Sequence, residues 1–311
     1  MLKFLPGIYF GWGLGANDAA NVFGPQTYSG IITWRRAAVL TSIFVVAGAL
    51  LEGQSGFEQI GGIAGNMAVA AVISTLSAAI MIHIMSYLKI PASTSHGIVG
   101  ALVGTGWAFS QPVNMGNVLK SVICWVITPF GAAAVAFVLF HFLNFVWAKR
   151  IKNIKVLNQS IKIASIVIGC YGAYSLGANN LANIVGPYVG AGMIAKFPAQ
   201  ILGGVAIALG VMTYSKNVMS TVGSGITVLS PFSALVAILS NAIVLHFFTL
   251  LGVPVSASQG VVGAVFGVGV TKGLKTVSYK KLIQILGGWI VTLGGAALFS
   301  ASLAMLYKKF F

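Results

Sequence analysis

Acidic residues are nearly absent from this chain. Its 311 residues include three, Asp18, Glu52 and Glu58, against 18 Lys and Arg. Charged residues make up 7% of the chain and hydrophobic ones 58%, more apolar surface than a soluble core can hide. That excludes a water-soluble globular protein. The net charge of +15 does not point to nucleic acid, because the basic residues flank apolar runs, as topology determinants do. Cysteine is as scarce: Cys124 and Cys170 both lie inside apolar runs, which excludes a disulfide framework and a cysteine-based metal centre. A nucleophile motif is also missing, so no enzyme and no resident cofactor is expected. An intramembrane hydrolase built on Asp18, His96 and a serine would lack both Asp and His in the duplicated copy described below.

What is present is a series of apolar segments, at about 4–27, 34–53, 66–90, 95–109 and 117–148, then 161–187, 197–216, 232–252, 256–270 and 280–308. The basic stretch KRIKNIKVLNQSIK separates the two sets and divides the chain into 1–148, a linker at 149–160, and 161–311. The N-terminal apolar stretch does not read as a signal peptide, since it runs into a motif that the chain repeats.

The two sets are copies. GANDAANVFGP, 15–25, returns as GANNLANIVGP, 177–187, identical at seven of eleven positions. PASTSHGIVGALVGTG, 91–106, returns as PVSASQGVVGAVFGVG, 254–269, identical at nine of sixteen. Two motifs in one order, at offsets of 162 and 163, imply an internal duplication. The short segments after Pro91 and Pro254 predict a broken helix, or re-entrant hairpin, in each half. Whether its arms span or not, each half then crosses the bilayer an odd number of times, so the second half is inverted. The expected fold is an all-α polytopic membrane protein of two inverted-topology repeats, the pattern of secondary transporters. Twelve basic residues fall on the side of the linker and five on the other, with Lys89 left out of both. That predicts a cytoplasmic linker and both termini outside.

The motifs carry complementary chemistry. Proline disfavours helix in the residue before it, and the hydroxyl-rich residues that follow are natural N-caps. Ser93, Thr94 and Ser95 in one half, with Ser256 and Ser258 in the other, would aim N–H groups, hydroxyls and a positive dipole end at an anion. Asp18 with the amide oxygens of Asn17 and Asn21 offers hard ligands for a small cation, and Asn179, Asn180 and Asn183 offer the same without charge. A cation beside an anion lowers the cost of burying each. His83 and His246, each eight residues before the proline of its half, are equivalents read as interhelical hydrogen-bonding groups or, alternatively, a proton relay. Glu52 and Glu58 are expected to be solvated in a loop, and Lys89 to snorkel to water.

GANDAANVFGP and PASTSHGIVGA, each present twice, closely resemble the signatures of the inorganic phosphate transporter family, which includes sulfate permeases; VMSTVGSGITVLSP, 218–231, is similar to its second half. The resemblance covers nearly the whole chain. It implies cation-coupled transport of phosphate or sulfate, with a passive anion channel as a rival, and a plasma-membrane protein that forms a homodimer. It implies that Asp18, Asn21, Ser93, Thr94 and Ser95, with Asn180, Asn183, Ser256 and Ser258, hold the anion and its coupling ion, sodium or a proton. For sodium, the GAN residues Asn17, Asp18, Asn21, Asn179 and Asn180 are the expected ligands. Asn180 stands where the family usually has Asp, Ala257 replaces a threonine, and Gln259 replaces histidine.

Overall fold

The computed structural model describes residues 2–28, 30–63, 65–88, 92–225, 229–271 and 279–310. Most of those residues are helical, and no strand occurs among them. The helices are α1 (Leu5–Asp18), α2 (Ala20–Tyr28), α3 (Trp34–Leu51), α4 (Phe57–Gly61), α5 (Ala68–Tyr87) and α6 (Thr94–Ala108). They continue as α7 (Met115–Leu143), α8 (Ile154–Gly190), α9 (Lys196–Gly225), α10 (Pro231–Leu250), α11 (Ala257–Thr271) and α12 (Tyr279–Phe310). Pro91, Lys89, Lys272 and Lys275, and residues 226–228 within the 218–231 segment, lie outside the described residues.

Local chemistry sets several boundaries. Asn153 caps α8, its Oδ1 accepting from the N–H groups of Lys155 (3.0 Å) and Val156 (3.4 Å). The helix therefore starts at Ile154, within the basic 149–160 stretch, of which residues 149–153 are non-helical. Asn114 caps α7 and Ser230 caps α10, the latter followed by Pro231 in the first helical turn. At the far end of α10, Gly252 has φ +69°, the left-handed conformation that closes a helix, and the Val253 N–H returns to the Phe248 carbonyl at 3.0 Å.

Seven helices among the described residues are long and apolar enough to cross a membrane: α3, α5, α7 with its continuation to Ala148, α8, α9, α10 and α12. Polarity is distributed inside out. Ile127, Phe130, Val138 and Phe142 on α7, and Ile290 and Leu298 on α12, face outward, while Asn17, Asp18, Asn180, Ser93 and Ser256 are buried. The chain therefore hides its polar groups from an apolar surround. α5 and α10 hold 20 residues each, about 30 Å, while the returning helices α6 and α11 hold 15, about 22 Å against a hydrocarbon core of about 30 Å. The outgoing arm of each hairpin is thus longer than a tip at mid-membrane needs.

The halves pack in exchanged pairs. α6 lies against α12 and α11 against α7; α1 lies against α9 and α8 against α3. Glycines at matching positions permit these approaches. A side chain on Gly15 would meet the Ile207 carbonyl, and one on its equivalent Gly177 would meet that of Val45. Gly104 backs onto the carbonyl of Ala297 and Gly267 onto that of Ala133 in the same way. Such exchange is what a two-fold relation between the halves produces.

One expected equivalence fails. In the first half the GAN motif straddles an interruption at Ala19 between α1 and α2, whereas in the second it lies within the unbroken α8.

Candidate functional site

The four motifs meet at the centre of the molecule. Asp18 closes α1 with 1% of its surface exposed, and two donors reach it: Thr94 Oγ1 to Oδ2 at 3.1 Å and Asn21 Nδ2 to Oδ1 at 3.4 Å. No basic side chain among the described residues pairs with it; the ion pair among them joins His246 to Glu52. Asn17, just before, donates from Nδ2 to Ser86 Oγ at 2.9 Å. The first GAN motif thus touches the first hairpin on both arms.

Ser93 is the N-cap of α6, its hydroxyl accepting from the His96 N–H at 3.3 Å, and Ser256 accepts from the Gln259 N–H at 3.3 Å in the same way. A capping hydroxyl still has its own proton to give, so capping and anion binding are compatible. Ser256 and Ser258 lie 2.9 Å apart, oxygen to oxygen. Ser95 links three elements: it donates to the Val255 carbonyl at 3.2 Å and accepts from Asn183 Nδ2 at 3.0 Å. The same Asn183 amide reaches Asn180 Oδ1 at 3.0 Å.

Asn179 is already engaged. Its Nδ2 donates to the Leu245 carbonyl (3.1 Å) and Thr249 Oγ1 (3.2 Å), and its Oδ1 accepts from the Val255 N–H (3.0 Å). It ties α8 to the second hairpin, as Asn17 ties α1 to the first. Asn180 donates to Leu176 of its own helix at 3.3 Å. The second motif is therefore largely satisfied by its own surroundings. Asp18 instead keeps a buried carboxylate with two donors.

The two tips also meet at a pair that sequence reasoning did not connect. His96 Nε2 and Gln259 Nε2, at equivalent positions, lie 3.4 Å apart, and the His96 ring lies tilted by 54° against Trp125, 4.0 Å between centroids, with Trp289 edge-on at 6.4 Å. Asn183 Oδ1, Gln259 Oε1 and His96 Nδ1 are buried without a hydrogen-bond partner among the described residues. Unsatisfied buried polar atoms are rare in native structures and point to a ligand or ordered water.

Glu58 is exposed, as expected, though it lies in the short helix α4 and not in a loop, and Glu52 is not freely solvated: its Oε2 lies 2.9 Å from His246 Nε2. The two repeat-equivalent histidines have different surroundings. His83 lies near Tyr9 (5.8 Å) and Trp12 (6.0 Å), ring to ring, while His246 contacts Tyr171, Tyr174 and Glu52.

The model of the phosphate transporter family matches residues 14–300. The chain belongs to that family. A relative from Methanocaldococcus jannaschii, named as a candidate phosphate permease, is 31% identical over 290 residues, 93% of this chain and 92% of the relative. The sulfate permease CysP of Bacillus subtilis is 31% identical over 294 residues, 92% of this chain and 81% of that one. A solved structure titled the sodium-dependent phosphate transporter superposes with a TM-score of 0.92 at 25% identity, covering 99% of this chain and 98% of that one. As a member of this transporter family with seven apolar helices of spanning length among its described residues, the chain is a multi-pass integral membrane protein.

Proposed function

We propose that the protein is a secondary transporter of an inorganic anion, phosphate in the first instance, driven by a cation gradient and working by alternating access. The observation that carries this reading is the hydrogen bond from Thr94 at the start of α6 to the buried carboxylate of Asp18. A helix N-terminus whose capping hydroxyl, Ser93, still has its proton to give attracts an anion. A buried carboxylate beside it repels one unless a cation or proton lies between them. The two features are compatible when both ions bind together, which is the requirement of symport.

Each half contributes a hairpin tip and a GAN motif, and the exchanged packing supports two repeats of opposite topology around one site. Counting α1 with α2 as one crossing, like their equivalent α8, and treating the two arms of each hairpin alike, each half crosses an odd number of times, and the charge bias then favours a cytoplasmic 149–160 linker with both termini outside, in the plasma membrane. Asp18, Asn21, Ser93, Thr94 and Ser95 serve the first half of the site, with Asn180, Asn183, Ser256 and Ser258 in the second. Sodium is the preferred coupling ion, because the similar solved structure is titled sodium-dependent. Asp18, Asn21 and Asn17 are its ligands.

Sulfate is the second reading, favoured by the likeness to CysP of Bacillus subtilis. Binding of labelled phosphate and labelled sulfate to the purified protein, each with and without sodium, separates the two. Phosphate binding that tightens with sodium supports the first reading. Sulfate binding that excludes phosphate supports the second.

A further inference from the structure

We propose that Glu52, His246 and Tyr171 form a proton-binding site that fastens the second hairpin to the end of α3, so that acid tightens that hairpin. The inference stands apart from the anion and sodium site. His246 lies in the last part of α10: Nδ1 shares a hydrogen bond with the Tyr171 hydroxyl at 2.8 Å, and Nε2 lies 2.9 Å from Glu52 Oε2, an ion-pair contact in which that buried oxygen has no aligned hydrogen-bond donor among the described residues. A carboxylate can only accept, so in the neutral ring Nε2 carries the hydrogen and Nδ1 accepts from Tyr171. A proton arriving from water therefore binds at Nδ1. Tyr171 then turns from donor to acceptor, and the Glu52 contact becomes an ion pair.

The groups facing His246 are few. Glu52 comes from the end of α3, and Tyr171 and Tyr174 come from α8. α2 and α11 carry no Asp, Glu, Lys, Arg or His, and neither does the Gly53–Gly56 turn. Lys120, Cys124 and His141 of α7 make no hydrogen bond, ion pair or ring contact with His246 among the described residues. Both members of the pair are partly open, with side-chain exposures of 24% and 32%, and the next residues, Gln54 and Ser55, are exposed and polar. Protons can therefore reach the pair.

Two further observations link the pair to the hairpin tip. The turn that begins at Glu52 packs on that tip: a side chain on Gly56 would meet the Pro254 ring at 2.7 Å, and one on Gly252 the Ser55 carbonyl at 2.9 Å. The last turn of α10 supplies the carbonyls of Phe247, Phe248 and Thr249 to the N–H groups of Leu251, Val253 and Gly252. The tip in turn carries Val255, bonded to Ser95 and Asn179 in the central site. The equivalent cluster in the first half has His83, Tyr9 and Trp12, but Tyr214 occupies the place of Glu52 and lies 5.5 Å from Trp12, ring to ring. The packing holds there without a carboxylate, so Glu52 adds a titratable function to one hairpin alone.

Hydrogen exchange of the Leu251–Val253 amides, measured by mass spectrometry at pH 8 and pH 6 and corrected for intrinsic rates, tests this. The wild type is expected to exchange about five-fold more slowly at pH 6, the scale of a partly exposed ion pair. Glu52→Gln and His246→Gln are expected to show no pH-dependent change, and His83→Gln to keep the wild-type difference. Should His246→Gln fail to fold, the near-isosteric Glu52→Gln carries the test. An unaltered difference in Glu52→Gln, or none in wild type, overturns the proposal.

Discussion

Asp18 and Asn180 occupy equivalent positions, yet only Asp18 can hold a cation by charge. Asn180 spends its oxygen on Asn183 and its nitrogen on Leu176. Replacing Asn180 by Asp puts an acceptor-only group where a donor now contacts Leu176, and a bound cation is the means of keeping that carboxylate ionised. Asn180→Asp is therefore expected to tighten sodium binding or raise the number of sodium ions bound per phosphate, read by sodium titration of phosphate binding. No change in either would mean that the second motif is structural. Thr94 gives the complementary test. Thr94→Val keeps the shape and removes the hydroxyl that Asp18 accepts from, a charged hydrogen bond of about 1.5–3 kcal/mol. Calorimetric titration of the folded variant should show phosphate and sodium affinity down roughly ten- to a hundred-fold. Unchanged affinities would leave Thr94 a helix-starting residue only.

At the scale of elements, the glycines on the hairpin helices make paired predictions. Gly104→Ala on α6 sets a methyl against the Ala297 carbonyl, and Gly267→Ala on α11 does the same at Ala133. Each should lower stability by about 1–3 kcal/mol, seen as a lower unfolding temperature in detergent. Gly294→Ala on α12, where nothing lies within 4 Å, is expected to be neutral. The starts of α6 and α11 were legible because proline, cap serines and glycine spacing are local signals written twice. The interruption at Ala19 was not, since GANDAANVFGP and GANNLANIVGP are nearly the same string and differ in what packs on them. Nor was the start of α8, where the Asn153 cap turned most of a basic linker into helix. His96 against Gln259, and Glu52 against His246, join residues far apart in sequence through tertiary packing alone. The equivalence of His96 and Gln259 was readable, but neither meeting was.

For the whole molecule, the orientation follows from the basic residues. A reporter placed at 149–153 should read cytoplasmic and one at the C-terminus external, and the reverse would overturn the charge-based topology. The larger claim is that two opposed halves build one site that moves an anion only together with a cation. Purified protein in sealed proteoliposomes, given labelled phosphate outside and an inward sodium gradient, tests this most directly. The account predicts accumulation of phosphate above its outside concentration, collapse when the sodium gradient is dissipated, and loss of the sodium effect in Asp18→Asn. Equilibration without accumulation, whatever the sodium gradient, or a full sodium effect in Asp18→Asn, would contradict it.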